Sequence, residues 1–177
     1  MTKTLILAAV AALALAAPVA AADVLAPTPT IGSIIVDDSW TGAYVGLNGV
    51  VEVTNGVTQY GPEVVVGYNQ AIDLFLIGAE VSLEGVNFNN ANTNFNEVTV
   101  GVTGKAGVIL TDEIGVYALA GLEREINVGV NSGRIGAGVE AKLTEEISIV
   151  GEYARSWTFD GAYTPSDQFT VGLRYSF

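Results

Sequence analysis

The 177-residue chain contains no cysteine and no histidine. Without cysteine there can be no disulfide, no lipid-anchoring thiol and no thiolate metal site. Losing both residues removes the usual Ser–His and Cys–His nucleophile pairs and all imidazole ligands. Basic residues are scarce, 7 against 19 acidic ones, and the formal net charge is −12. No basic patch exists to neutralise phosphates, so nucleic acid is not an expected partner. Beyond the N-terminus, no stretch approaches the ~18 consecutive apolar residues of a spanning helix. Cofactor fingerprints are missing as well. The run Gly101-Val102-Thr103-Gly104-Lys105-Ala106 is faintly like a phosphate loop, but Thr99 stands where the first glycine belongs and Ala106 where Ser or Thr belongs. The expectation is no cofactor and no metal.

The N-terminus begins with a short positive region, Met1-Thr2-Lys3, followed by an Ala/Leu stretch from Leu5 to Ala17 and small residues from Pro18 to Ala22. This reads as a secretory signal peptide over 1–22, cut after Ala21 or Ala22, because the apolar run is too short for a membrane anchor. Residues 23–39 carry Pro27, Pro29, Asp37 and Asp38 without a period and read as an extended periplasmic lead-in. From residue 40 onward the dominant pattern is alternation, with glycine (21 residues) well above its ~7% average.

Alternation is strictest over 168–177. Phe169, Val171, Leu173, Tyr175 and Phe177 fall between Gln168, Thr170, Gly172, Arg174 and Ser176, which makes a strand with one apolar and one polar face. A soluble protein would leave such a strand as an aggregation-prone edge. An outer-membrane barrel closes it onto the first strand and turns its apolar face to lipid. Near the other end stands Trp40-Thr41-Gly42-Ala43-Tyr44-Val45-Gly46. This stretch resembles the opening of small bacterial outer-membrane β-barrel domain proteins, the porin family, and the chain is similar also to OmpA/OmpX-type transmembrane domains. Their first strand typically reads Trp-(Ser/Thr)-Gly-(aromatic)-Tyr-Val-Gly, and Ala43 departs from it. The apolar positions 169, 171, 173, 175 and 177 resemble the signal by which Gram-negative barrels are recognised for insertion. The resemblance covers 40–177 and is specific at the opening and closing strands only. It implies a bacterial outer-membrane location, with lipid around the barrel and the assembly machinery as a partner.

Between those ends the chain divides into strands and turns. Asn55-Gly56 is a strong hairpin signal. If Thr54 faces Val57, then Val53 faces Thr58, Val51 faces Tyr60, Leu47 faces Val64 and Val45 faces Val66. One face is then apolar, and the other holds Asn48, Glu52, Gln59, Glu63 and Asn69. Pro62 cannot donate to a ladder, so a bulge is expected there. A turn at Asn69–Asp73 leads to a third strand near 74–84 and then to an Asn-rich loop at 85–96. The fourth strand covers about 97–109, and Thr111–Glu113 turn into a fifth from Ile114. Both faces of the fifth are apolar. The reading adopted puts Tyr117 and Leu119 outward, with Ala118, Ala120, Leu122 and Arg124 inward. Its hairpin turns at Asn131-Ser132-Gly133, with Val128-Gly129 as the rival. The sixth and seventh strands cover about 134–143 and 147–157, and a loop at 158–167 precedes the eighth.

The fold class is therefore all-β: an eight-stranded antiparallel up-and-down transmembrane β-barrel over 40–177. Turns alternate with longer loops, which puts both termini in the periplasm and offers loop 85–96 to an extracellular partner. A soluble barrel with an apolar ligand cavity is the rival, with its faces inverted. Five inward charges lie near mid-barrel: Glu80, Lys105, Glu140, Glu152 and Arg174. Unpaired charges in a narrow lumen are costly. The expected arrangement is a plug of Glu80–Lys105 and Glu140–Glu152–Arg174, against wet charges without mutual contact. Such pairing accounts for the carboxylates without catalysis, so an enzyme is not expected. Two roles stay open: a structural or surface-interaction protein, and a narrow channel for ions or small solutes.

Overall fold

A computed structural model describes residues 38–88, 97–159 and 165–177. The expected signal peptide (1–22), nearly all of the expected lead-in (23–39), most of the expected loop 85–96 and the centre of the expected loop 158–167 lie outside the described residues. After a 3-10 turn at Asp38–Trp40 come eight strands: β1 (Gly42–Thr54), β2 (Val57–Ile72), β3 (Phe75–Phe88), β4 (Glu97–Ile109), β5 (Ile114–Glu125), β6 (Asn131–Lys142), β7 (Ile147–Thr158) and β8 (Pro165–Ser176). Each strand pairs antiparallel with the next, and β8 pairs with β1 from Tyr44↔Ser176 to Thr54↔Ser166, so the barrel is closed. Closure satisfies every strand edge, which is what a sheet needs in hydrocarbon.

The first hairpin follows its sequence. Asn55 and Gly56 both take positive φ, 51° and 83°, the backbone of a primed two-residue turn. The register runs unbroken from Thr54↔Val57 through Val51↔Tyr60, Leu47↔Val64 and Val45↔Val66. No bulge forms at Pro62. It pairs in register with Gly49, and on the β3 side the ladder passes from Tyr60↔Asn87 to Glu63↔Glu84 without a shift. A missing N–H interrupts hydrogen bonding there, but no extra residue is inserted.

Several strands run longer than their apolar pattern suggested. The β2–β3 turn is only Asp73-Leu74, with Asp73 at φ 54°, so Asn69–Ile72 belong to β2. Similarly, β3 continues to Phe88, β7 to Thr158, and β8 begins at Pro165. Polar residues near the loops still find ladder partners, which hydropathy alone does not reveal.

Two readings of β5 are corrected. Tyr117 and Leu119 face inward, 4% and 1% exposed, while Leu122 faces outward at 64%. Both faces of this strand are apolar, so neighbours decide. Leu119 pairs with Lys105 of β4 and Tyr117 with Gly138 of β6, and directly opposed residues share a face. The turn lies between Glu125 and Asn131, closed by the Gly129 N–H donating to the Glu125 carbonyl at 2.8 Å, with Gly129 at φ 73°. Asn131, Ser132 and Gly133 are already in β6.

The two faces of the sheet decide between lipid and water. Leu47, Val64, Val66, Ile77, Val81, Leu83, Val102, Ile135 and Leu173 are all exposed, as are Tyr60, Tyr68, Tyr153 and Tyr175. Glu63, Glu80, Glu84, Lys105, Arg134, Glu140, Glu152 and Arg174 are buried. A soluble ligand-binding barrel requires the reverse, and that alternative falls. Aliphatics edged by tyrosines outside, with small and charged residues inside, are the faces of a lipid-embedded barrel.

Candidate functional site

Strand alternation sends one residue in two into the lumen, and across seven strands such a residue meets at one level. Glu80 comes from β3, Lys105 from β4, Glu140 from β6, Glu152 from β7 and Arg174 from β8, joined by Tyr44 from β1 and Tyr117 from β5. Lys105 Nζ lies 2.6 Å from Glu80 Oε2. Arg174 spans the lumen: Nη1 is 2.5 Å from Glu140 Oε2, and Nη2 is 2.8 Å from Glu152 Oε1 and 3.5 Å from Glu80 Oε2. The structure therefore gathers the five charges into one network, where the sequence had suggested two clusters. Arg174 is the link between them.

Tyr44 and Tyr117 are the members that sequence reasoning missed. The Tyr44 hydroxyl donates to Glu80 Oε2 at 2.8 Å, and the Tyr117 hydroxyl donates to Glu152 Oε1 at 2.6 Å. Arg174 Nη1 also donates to the Tyr117 hydroxyl at 3.3 Å. Both rings lie beside the cations: Lys105 Nζ is 4.9 and 5.2 Å from the two ring centroids, and the Arg174 guanidinium carbon is 5.0 and 5.9 Å away. Such cation–π contacts gain strength where water is excluded. Ser148 completes the shell by donating to Glu140 Oε1 at 2.6 Å.

Glycine makes room for this arrangement. Gly67 of β2 pairs with Tyr44, and Gly138 of β6 pairs with Tyr117. A Cβ on Gly138 would stand 2.6 Å from the Tyr117 ring, and one on Gly67 would overlap the Tyr44 ring. A glycine-rich inner face by itself would leave space for a pore. At these positions the space is filled by tyrosine. A usable signal was present, namely a tyrosine whose cross-strand partner is glycine.

The plug is flanked on both sides. At the short-turn end, Trp40 packs with Ala71, Leu76 and Ile109. Its indole N–H donates to the Asp112 carbonyl at 3.1 Å, and Lys142 Nζ lies over its ring at 4.7 Å and bonds Ser39 Oγ at 2.6 Å. Trp40 therefore belongs to the turn before β1, where it covers the mouth. On the loop side, Arg134 joins Glu123 at 2.9 Å and reaches Glu152 at 3.8 Å. Beyond it the lumen opens into a cavity. On the outside of β8, the Phe169 ring packs at a tilt against Tyr153, centroids 5.1 Å apart, while Val171, Leu173, Tyr175 and Phe177 are exposed.

A closed eight-stranded sheet with an aliphatic exterior and an ion-paired interior defines a transmembrane β-barrel. Over residues 7–177 the chain matches the family described as outer membrane protein beta-barrel domain. It belongs to that family and is a protein of the bacterial outer membrane. Among solved structures it is similar to Ail, the attachment invasion locus protein of Yersinia pestis, in complex with the heparin analogue sucrose octasulfate. That match has 14% identity and a TM-score of 0.52, covering 77% of this chain and 97% of that one. It is also similar to Neisserial surface protein A, with 12% identity and a TM-score of 0.51, covering 76% of this chain and 96% of that one. Among curated proteins, none matches the sequence.

Proposed function

We propose that this protein is a sealed envelope barrel, serving structure and surface contact rather than solute passage. The observation that carries the reading is the Arg174-centred network. It draws one side chain from each of seven strands and leaves the Arg174 side chain 1% exposed. A pore of this width would need a wet path, and here the lumen is crossed by ion pairs, hydrogen bonds and two tyrosine rings. Trp40 adds a second closure at the short-turn end. No catalytic role is assigned, since the lumen carboxylates at mid-barrel are engaged with cations.

Surface contact then falls to the loop end, with loop 85–96 as the segment offered to an extracellular partner. Barrels of the same fold include proteins named for attachment and for the cell surface, which supports that use of the scaffold. The outer face of β8, Phe169 to Phe177, is the part read by the assembly machinery during insertion.

Planar-bilayer conductance tests the reading. Wild type is expected to give no sustained channel steps. Arg174→Ala, alone and with Trp40→Ala, is expected to conduct. The single variant should also lose about 3–5 kcal/mol of stability, the usual cost of stripping one partner from buried ion pairs. Wild-type currents equal to those of the variants would replace this reading with the narrow channel. If Arg174→Ala leaves both conductance and heat stability unchanged, the network is not the seal.

A further inference from the structure

The network that closes mid-barrel leaves the loop-side half of the lumen acidic. There the barrel opens into a cavity of about 170 Å³, with Glu52, Gln59, Glu84, Glu123, Glu125 and Gln168 in its wall. Arg134, on the same side of the plug, is already paired with Glu123 and close to Glu152. Among the described residues, Glu52, Glu84 and Glu125 make no ion pair. Glu84 is 4% exposed. Its Oε2 accepts the Gln168 amide at 2.8 Å, whereas its Oε1 has no hydrogen-bond partner. Gln59 is 7% exposed, and its Oε1 has no partner either.

Two buried acceptors without donors, in a wall of uncompensated carboxylates, define what fits: a ligand that brings N–H donors and positive charge. A divalent metal ion is poorly served. It needs several oxygens converging on one point, and among the described residues no three carboxylates do so. Organic ammonium groups have no such demand, since each N–H takes a single acceptor and the charges can be spread along a chain. Glu52 on β1, Glu84 on β3 and Glu125 on β5 are spread in that way.

We propose that the loop-side half of the lumen is a binding site for a polyamine-class cation. Glu84 and Gln59 supply its buried acceptors, and Glu52 and Glu125 supply charge toward the rim. Binding is read in micelles, so the outcome does not depend on whether the lumen conducts.

The test is isothermal titration of spermidine into the purified barrel in neutral detergent at fixed ionic strength, with magnesium chloride as competitor. Wild type should bind saturably. Glu84→Gln should weaken binding at least about tenfold, the size of one charge-assisted hydrogen bond. Glu52→Gln should weaken it less, and magnesium at matched ionic strength should not displace the ligand. Heat-shifted gel mobility checks that each variant is folded. If Glu84→Gln does not fold, Glu52→Gln combined with Glu125→Gln decides in its place. No saturable binding to wild type, unchanged affinity in the deciding variant, or equal displacement by magnesium would each overturn the assignment.

Discussion

At the scale of single residues, the lumen is governed by pairs of a large ring and an absent side chain. Tyr117 can reach both Glu152 and Arg174 because Gly138 opposite it has no Cβ. Its ring has little freedom to move aside, since its hydroxyl is held at both ends. Gly138→Ala should therefore force a clash at 2.6 Å and cost about 1–3 kcal/mol, as overpacking does. Gly104 is the control: it faces outward, and its nearest neighbour to an added Cβ is the Ala120 carbonyl at 3.9 Å. Gly104→Ala should stay within about 0.5 kcal/mol of wild type. Urea unfolding midpoints of the two variants in micelles make the comparison, and equal midpoints would refute the packing argument. The charged members of the site were visible in the sequence because alternation fixes their side of the strand. Tyr117 was not, because both faces of β5 are apolar; Tyr44 falls on the polar face of β1 by the hairpin register, but local alternation does not reveal its bond to Glu80.

At the scale of elements, legibility followed the contrast between the two faces. The β1–β2 hairpin could be registered residue by residue, since Asn55-Gly56 fixes the turn and one face is clearly polar. In β5 the contrast vanishes: Val116, Ala118, Ala120 and Leu122 alternate with Tyr117 and Leu119. Only pairing to Lys105 on β4 and to Gly138 on β6 settles the strand, and pairing is a long-range fact that a local pattern does not hold. The closing strand β8 poses a different question, whether its outer face serves stability or recognition. Phe177 is 77% exposed and meets the Tyr175 ring edge-on at 5.2 Å. It contributes little to packing within the barrel. Phe177→Ala should consequently leave the urea midpoint of the refolded protein within about 0.5 kcal/mol of wild type, while lowering the amount that reaches the outer membrane in cells. A parallel loss of both would mean that the residue acts through stability and that the resemblance to an insertion signal is incidental.

At the scale of the whole molecule, three features act together: no free edge, an aliphatic exterior and a cross-linked interior. A detergent that unfolds soluble proteins works by coating apolar segments as they open. Here the apolar segments are already on the outside, where detergent replaces lipid without breaking a ladder. Opening any one strand means breaking two ladders, because the barrel is closed and β1 is paired with β8 as well as with β2. For every strand except β2 it also means pulling a member out of the lumen network. Unfolding in SDS should therefore be blocked at room temperature by a kinetic barrier and proceed only on heating. The measurement is gel mobility of outer-membrane preparations with and without boiling. The unheated protein should run as a compact band that shifts when boiled. Arg174→Ala should lower the temperature of that shift, since this one side chain ties β8 to β3, β6 and β7 at once inside the lumen. If wild type already unfolds in SDS unheated, strand closure and the lumen network together do not make the barrier argued here. If the shift is present but Arg174→Ala leaves its temperature unchanged, the ladders alone hold the barrel, and the network's part is confined to closing the lumen.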